Sequence, residues 1–355
     1  MARRFSTSVV IPTFNRSGLL AEAIKSVVNQ TVVPEDIVVV DDGSTDGTPE
    51  VVRGFGDPVR LIRIANTGVG PSRPRNVGIA AAASRYITLL DSDDLLLPTL
   101  LEHRKAAFER YPGLGLAFNK SLVARRTPAG LGPPTPREEF QILRECCREQ
   151  IGDATYRIGR RDAYSALCKG NYILTATGTT FPKTAWEEVG GFDESGGFTT
   201  SNDYEFFFRV VARYDIAYID KPLQIYCHHA SNISTANLEK EFKPHRYTNW
   251  IRVLERELRT VRSAKDRASL EESMTTALLQ LAYGYRKTRD YRHALAAYLR
   301  SVRHGGLRWD SVTGTLKLPV AWVCDRLGVR LGRSREVSPA RSCVGCEQLS
   351  SATHA

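Results

Sequence analysis

The stretch Ile37-Val38-Val39-Val40-Asp41-Asp42-Gly43-Ser44 passes directly from four branched apolar residues to two carboxylates and a glycine turn. An apolar run without alternation is typical of a strand that is covered on both faces, as in a parallel sheet. A second stretch of this design is Tyr86-Ile87-Thr88-Leu89-Leu90-Asp91-Ser92-Asp93-Asp94. Because the carboxyl ends of parallel strands share one edge of a sheet, both acidic turns are predicted at that edge.

Strand and helix patterns alternate around these two segments. Ser8–Ile11 is predicted as a buried strand that Pro12 stops, and Ser17 as the cap of the following helix. A Gly/Pro-rich turn over residues 66–74 precedes an Ala-rich helix predicted over residues 76–84. The alternation predicts a doubly wound, Rossmann-like α/β sheet with helices on both faces.

Strand patterns stop near residue 235, and helical periodicity continues to about residue 304. Residues 277–303 resemble one helical-hairpin repeat, but a lone repeat cannot bury its faces, so a packed helix pair is favoured. Residues 311–332 hold a modest apolar stretch between basic residues, which either lies on a membrane surface or packs on the helices. We expect three parts: an α/β domain over 1–235, a helical domain over 236–310, and a basic amphipathic segment with a disordered tail over 311–355.

The net charge is +10, with 49 Lys and Arg against 39 Asp and Glu. Such a balance suits anionic partners such as nucleotides, nucleic acid or a phospholipid surface. Because the basic residues are spread along the chain, the sequence predicts no nucleic-acid-binding arm. No stretch near Met1 fits a signal peptide, and no run reaches the roughly 20 apolar residues of a membrane span. We expect a cytoplasmic protein, with peripheral contact at the inner membrane face left open.

The seven cysteines are odd in number and irregular in spacing, which favours a reducing compartment over a disulfide framework. Cys343 and Cys346 form a CxxC pair in the tail, with His354 as a further nearby ligand type. A structural zinc site needs four ligands, so we interpret the pair as two exposed thiols.

Chemistry is predicted at the acidic turns. Asp91 and Asp93 can face one hard cation, since Mg²⁺ and Mn²⁺ take oxygen ligands and leave positions for substrate phosphates. Asp42 lies too far along the sheet to share that cation, and we expect it to accept hydrogen bonds from a base or ribose. Asp94 is a turn or cap candidate. Arg75 is expected either beside an anionic ligand or in a salt bridge to an aspartate.

Two nucleotide-enzyme classes are excluded by the first strand-to-helix turn, Pro12-Thr13-Phe14-Asn15-Arg16. A dinucleotide dehydrogenase needs G-x-G-x-x-G at this position, and a kinase-type phosphate loop is also absent from the sequence. A sugar nucleotidyltransferase stays open as an alternative, although the sequence has no early Gly-rich triphosphate loop of the kind that class uses.

Taken together, these segments resemble the GT-A inverting glycosyltransferases of family 2. The resemblance covers roughly residues 1–235, and its motifs occur in the family's order and at family-like spacing. The resembling stretches are Val9–Arg16, Val40–Thr48, Asn66–Gly70, Arg75–Ala80, Leu89–Asp94 and Gly190–Glu194.

The resemblance implies a role for each matching position. It places Pro12 and Phe14 against the nucleotide base, Asp42 on the uracil or other base, and Arg75 near the nucleotide. Asp91 would touch the ribose or the metal shell, and Asp93 would ligate Mn²⁺ or Mg²⁺.

The same resemblance assigns Asp203 as the catalytic base, on a helix that Asn202 is predicted to cap. The family often shows Glu-Asp here, so Asn202 puts a second acidic role in doubt. Its position in a first helical turn predicts that Asp203 is ionised. Tyr226, His229 and Ser234 fit a further family pattern, and His229 would be a metal ligand or a phosphate contact. The neighbouring His228 leaves a plain surface histidine pair as the alternative.

The expected function is inverting, metal-dependent transfer of a sugar from a nucleotide-diphosphate sugar, with UDP implied by the resemblance. The acceptor would be a hydroxyl of a carbohydrate, glycolipid or other glycoconjugate, and no nucleic acid is expected as a partner. The alternative is a catalytically weak α/β domain that serves assembly through its helical C-terminal part.

Overall fold

The computed structural model of the chain describes residues 5–66, 68, 70–137, 141–147, 149–198, 201–229, 232 and 244–306. The chain divides into two compact units. The first comprises Met1–Leu167 and Asn171–Thr235, and the second Cys168–Gly170 and Ala236–Ala355.

The first unit is built on a mixed sheet that has twelve strands within the described residues. Its strands are β1 (Thr7–Thr13), β2 (Asp36–Asp41), β3 (Val59–Arg63), β4 (Tyr86–Leu89), β5 (Leu95–Leu96), β6 (Leu114–Thr127), β7 (Gly130–Leu131), β8 (Thr135–Pro136), β9 (Glu149–Gly152), β10 (Thr155–Ile158), β11 (Thr180–Pro182) and β12 (Asp215–His228). Its helices are α1 (Ser17–Val28), α2 (Thr48–Arg53), α3 (Ser72–Ala81), α4 (Leu100–Arg110), α5 (Gln141–Cys146), α6 (Arg160–Lys169), α7 (Lys183–Val189) and α8 (Asn202–Val211).

The strand order is β3-β2-β1-β4-β11-β6-β12-β10-β9. The first four strands are parallel, β11 is antiparallel to both of its neighbours, and β12 runs parallel to β6. Strand and helix alternate from β1 to β4, which confirms the predicted α/β unit. The carboxyl ends of β1, β2 and β4 therefore lie side by side at one edge.

Both faces of the parallel part are covered, as the unbroken apolar runs predict. Val9 and Ile11 pack with Leu20 and Ile24 of α1 in one fully buried cluster. On the opposite face, α3 lies so close that a Cβ at Gly78 would stand 2.5 Å from Val10 Cγ1. Helices therefore pack on both faces of the sheet, and the absence of a side chain at Gly78 allows the close contact of α3.

The prediction that Pro12 ends the first strand is wrong, because β1 continues to Thr13. Pro12 pairs in register with Val40 of β2, whereas the pairing of β1 with β4 ends at Val10. Since Pro12 has only one neighbouring strand, its missing N–H removes no bond to β4.

Three helix starts also differ from prediction. The helix α3 begins at Ser72 rather than at residue 76, because Pro74 falls in its first turn, where backbone N–H groups lack helical partners anyway. Ser17 and Asn202 are the first residues of α1 and α8 rather than their caps. At α1 the capping acceptor comes from elsewhere, since the Ser17 N–H donates to Asp46 Oδ2 at 2.9 Å.

The second unit contains α9 (Pro244–Thr260), α10 (Ala264–Lys287) and α11 (Tyr291–Gly305). Ser263 Oγ accepts from the Asp266 N–H at the start of α10, and Asp290 Oδ1 accepts from the His293 N–H at the start of α11. The helical character predicted for this part of the chain is confirmed, and α10 packs against both of the other helices. No helix among the described residues has the length and apolarity to cross a bilayer. The basic segment over 311–332 and the tail cysteines lie outside the described residues.

Replacement of Gly78 by alanine is expected to destabilise the first unit. The new methyl group would meet Val10 Cγ1 at 2.5 Å and Val40 Cγ2 at 3.0 Å, so α3 must move away from the sheet. Overpacking of this kind costs about 1–3 kcal/mol of unfolding free energy, measurable in urea. Gly18 in α1 is the control, because its Cβ would meet nothing within 4 Å. An equal loss in both variants would contradict the close approach.

Candidate active site

The acidic turn after β4 is held in place by its own carboxylate, Asp94. Asp94 Oδ2 accepts a 2.6 Å hydrogen bond from the Thr177 hydroxyl, and Asp94 Oδ1 accepts one of 2.9 Å from the Cys227 N–H. Thr177 Oγ1 in turn accepts from the Asp91 N–H at 3.1 Å. Burial raises the pKa of Asp94 well above its usual value, and the charges of Asp93 and Asp91 raise it further. Asp94 thus ties the turn to the end of β12, a structural role among those expected for it.

Asp93 is the most heavily bonded of the site carboxylates. Its Oδ2 lies 2.5 Å from Arg16 Nη1, 3.0 Å from His229 Nε2 and 3.0 Å from Asn232 Nδ2. Burial alone would raise the pKa of Asp93, but the His229 hydrogen bond and the Arg16 charge hold it below the usual value. The structure brings together Asp93 and His229, the two residues proposed as metal ligands.

Arg75 joins the acidic turn to the start of α8. Its Nη2 forms a 2.6 Å salt bridge with Asp91 Oδ1, and its Nη1 donates to Asn202 Oδ1 at 2.6 Å. The guanidinium lies 5.5 Å from the centre of the Phe192 ring, and only 3% of Arg75 is exposed. The salt-bridge alternative for Arg75 is therefore observed. It also explains why Asn202 does not cap α8: its side-chain oxygen is used by Arg75.

Asp203 is the second residue of α8, half-buried beside this bridge. Burial raises its pKa and the Asp91 charge raises it further, which outweighs the lowering by Arg75 and by the Tyr204 N–H. The pKa of Asp203 is thus raised, although its position in the first turn of α8 favours the ionised form. Asp203 lies close enough to Asp91 and Arg75 for both of their charges to act on its pKa.

The two carboxylates of the acidic turn after β2 differ in their hydrogen bonding: Asp41 is bonded within the protein, whereas Asp42 has one oxygen without a donor in the described part of the chain. Asp41 accepts from Arg63 Nε at 2.9 Å and from the Ser44 N–H at 2.8 Å. Asp42 is also buried, but among the described residues nothing donates a hydrogen bond to its Oδ1. Burial raises the pKa of Asp42, and Arg73 offsets part of this effect. An open acceptor oxygen is what the predicted contact to a base requires.

The first turn supplies an exposed ring next to this carboxylate. Pro12 is buried inside β1, whereas 45% of Phe14 is exposed. The Asp42 N–H donates to the carbonyl of Thr13 at 2.9 Å, so the two turns are in direct contact. Phe14 and Asp42 can therefore contact the same flat ligand, while Pro12 shapes the backbone beneath it.

Asp93 and His229 present ligand atoms of the types that divalent cations bind. Two ligands at right angles about an octahedral Mg²⁺, each at about 2.1 Å, stand about 3.0 Å apart. The observed separation of Asp93 Oδ2 and His229 Nε2 is 3.0 Å. No cluster of three or more His, Cys, Asp or Glu residues exists in the described part of the chain, so Asp91 does not complete a triad. The remaining positions would fall to water and substrate oxygens.

Of the histidine pair, His228 does not contact Asp93. Its ring meets Tyr226 edge-on at 4.9 Å, and burial together with Arg137 and Arg125 lowers its pKa. The two histidines therefore face different surroundings, which is not a plain surface pair. Ser234, the third residue of that pattern, lies outside the described residues.

Three residues at the site were missed by sequence reasoning: Arg16, Thr177 and Asn232. Arg16 stood inside a motif stretch, but no spacing rule connects it with a turn 77 positions later. Thr177 lies in a segment without a readable pattern, and Asn232 lies inside the pattern over residues 226–234 at a position to which that pattern gives no role.

Comparison with known proteins shows what the α/β unit is similar to. The sequence profile described as Glycosyl transferase family 2 matches residues 8–167. Poly(ribitol-phosphate) beta-glucosyltransferase of Bacillus spizizenii is 40% identical over 217 residues, which cover 57% of this chain and 32% of that protein. Glycosyltransferase GlyG of Streptococcus pneumoniae is 37% identical over 98 residues, covering 27% of this chain and 32% of the relative. The matches to both span about a third of the relative's length.

A third relative is the GalNAc(5)-diNAcBac-PP-undecaprenol beta-1,3-glucosyltransferase of Campylobacter jejuni. It is 41% identical over 93 residues, which cover 25% of this chain and 30% of that enzyme.

Solved structures establish the fold. S. aureus TarS 1-349 in complex with UDP-GlcNAc superposes with a TM-score of 0.60 at 17% identity, covering 92% of this chain and 93% of that one. The mannosyltransferase PcManGT from Pyrobaculum calidifontis, in complex with GDP-Man and Mn²⁺, gives a TM-score of 0.51 at 16% identity, covering 92% and 88%. Within the α/β unit, residues 8–167 match the Glycosyl transferase family 2 profile, and the relatives that this chain resembles carry glycosyltransferase names.

Proposed function

We propose that the protein is a metal-dependent inverting glycosyltransferase that uses a nucleotide-diphosphate sugar, with UDP as the favoured nucleotide. The observation that carries this proposal is the Arg75 bridge, which joins the Asp91 turn to the helix start that bears Asp203. Arg75 thus connects the turn that carries the proposed cation ligand Asp93 with the helix that carries the candidate base Asp203.

The donor's nucleotide would lie across the ends of β1 and β2. Phe14 offers an exposed ring for stacking, and Asp42 Oδ1 offers an unused acceptor for an N–H of the base. The diphosphate would then reach Asp93 and His229. A divalent cation bound there would neutralise the negative charge that develops on the leaving diphosphate.

The acceptor hydroxyl needs a base as it attacks the anomeric carbon. Asp203 fits because its raised pKa makes it a better proton acceptor than an exposed aspartate. Its neighbour Asn202 is neutral and bound to Arg75, so no second carboxylate is paired with Asp203 as a nucleophile. One base and direct displacement give inversion at the sugar carbon.

Two comparisons support the choice of substrates. TarS binds UDP-GlcNAc and PcManGT binds GDP-Man with Mn²⁺, both on this fold. The relatives named for a poly(ribitol-phosphate) and for a diphosphate-linked undecaprenol have anionic acceptors. The net charge of +10 suits such an acceptor, presented in solution or at a membrane surface.

Asp203→Asn is expected to leave donor binding intact and to lower kcat by about 10²–10⁴-fold, the usual contribution of a general base. Steady-state release of UDP from a UDP-sugar in the presence of acceptor measures this. Asp162→Asn is the control, since Asp162 is an exposed first-turn aspartate of α6. Unchanged turnover in Asp203→Asn would place the base elsewhere.

The pH profile should report the same carboxyl. Because the pKa of Asp203 is raised, its basic form is lost as the pH falls through that raised pKa. The acidic limb of kcat/KM, measured at saturating Mn²⁺, is therefore expected at higher pH than for an exposed aspartate. A limb in the ordinary aspartate range would contradict the assignment.

Removal of divalent cations with a chelator should abolish transfer, and Mn²⁺ should restore it. Asp93→Asn should lose this rescue, because the carboxylate that meets His229 is then neutral. Asp162→Asn should keep it. Transfer that survives chelation would overturn the metal role.

A further inference from the structure

The side chain of Arg16 crosses from the first strand-to-helix turn to the acidic turn after β4. Arg16 is the N-cap residue of α1, and its Nη1 lies 2.5 Å from Asp93 Oδ2. The turn that presents it is firmly built: the Asn15 N–H donates to Ser44 Oγ at 2.8 Å, and Asn15 Oδ1 accepts from the Thr45 N–H at 2.8 Å. This ion pair is therefore part of a fixed arrangement.

Arg16 occupies the oxygen that a cation would need. Asp93 Oδ2 is also the atom that forms a 3.0 Å hydrogen bond with His229 Nε2, so the two proposed ligand atoms lie close enough to bind one cation once that bond opens. A guanidinium supplies positive charge there but no coordination, and it cannot share that position with a divalent ion. The side chains of Arg16 and Asp93 are only 22% and 9% exposed, so solvent screens the pair weakly.

We propose that Arg16 is an internal competitor for the divalent cation, which holds Asp93 in the metal-free protein and passes to the donor's diphosphate once the cation binds. This inference rests on the proposed function, because it needs a cation on Asp93. It adds a residue that sets the affinity for the cation and couples that affinity to donor binding.

The released guanidinium would find new acceptor oxygens on the diphosphate. Among the described residues, Asp93 is the one carboxylate with which Arg16 forms an ion pair. A diphosphate bound beside Asp93 would bring new oxygens within reach of the same side chain. The planar fork of arginine binds phosphate in a bidentate manner, which is stronger than a neutral hydrogen bond.

The first measurement is the affinity of nucleotide-free protein for Mn²⁺, obtained from the free Mn²⁺ signal in electron paramagnetic resonance titrations. Arg16→Gln removes the competitor, so its Kd for Mn²⁺ is expected to fall about tenfold, the scale of a partly buried ion pair. Arg53→Gln removes an equal charge from an exposed pair with Glu50 and should leave the Kd unchanged. The difference should persist at high salt, because a contact pair is screened less than a distant charge.

The second measurement is UDP binding by calorimetry at saturating Mn²⁺. Here Arg16→Gln is expected to bind UDP several-fold more weakly, opposite in direction to its gain for Mn²⁺. Should Arg16→Gln fail to fold, Arg16→Lys replaces it; the lysine loses the fork, and smaller changes in the same two directions are expected.

Asp93→Asn separates this inference from the proposed function. If Asp93→Asn binds Mn²⁺ as tightly as the natural protein does, the cation site is wrong and both ideas are overturned. If Asp93→Asn loses Mn²⁺ while Arg16→Gln binds it no more tightly than the natural protein, competition by Arg16 alone is overturned. Unchanged UDP affinity in Arg16→Gln would overturn the transfer of Arg16 to the diphosphate.

Discussion

The Arg75 guanidinium is the interaction on which the site depends. Several carboxylates at one sheet edge repel one another, and solvent screens this repulsion only weakly because the edge is partly buried. Arg75 neutralises Asp91 and, through Asn202, fixes the start of α8 beside it. Asp41 and Asp93 are each matched with an arginine of their own. An arginine thus neutralises each of Asp41, Asp91 and Asp93, which limits the repulsion along the acidic rim.

Asp42 and Asp203 differ from these three carboxylates because neither is paired with an arginine among the described residues. Each has a pKa raised by burial, and neither forms an ion pair in the described part of the chain. A fold gains no stability from a buried carboxyl left without an ionic partner. Such groups are typical of places where a ligand or a proton is received, which is how both residues are used in the proposed reaction.

The sequence predicted the sheet and its acidic edge because those features are local. The run Ile37–Val40 followed by Asp41 carries its own strand and turn signals, and the same holds after β4. The start of α3 was misplaced because Pro74 resembles a turn residue and is equally suited to a first helical turn. The partners of Asp93 were beyond prediction, since Asn232 reaches it across 139 positions of the chain. Local propensity and motif spacing cannot predict contacts between residues so far apart in the sequence.

The long pairing of β6 with β12 has a consequence for how this protein could diversify. Both strands are fourteen residues long. The short strands β7 and β8 pair with β6, while β10 pairs with β12 and β9 pairs with β10. The segment between residues 128 and 159 therefore starts from β6 and returns to the neighbouring strand β12. The pairing of β6 with β12 does not depend on the length of that segment. Evolution can lengthen, shorten or exchange that excursion to suit new acceptors, while the anchoring of Asp94 on β12 keeps the reactive rim in place.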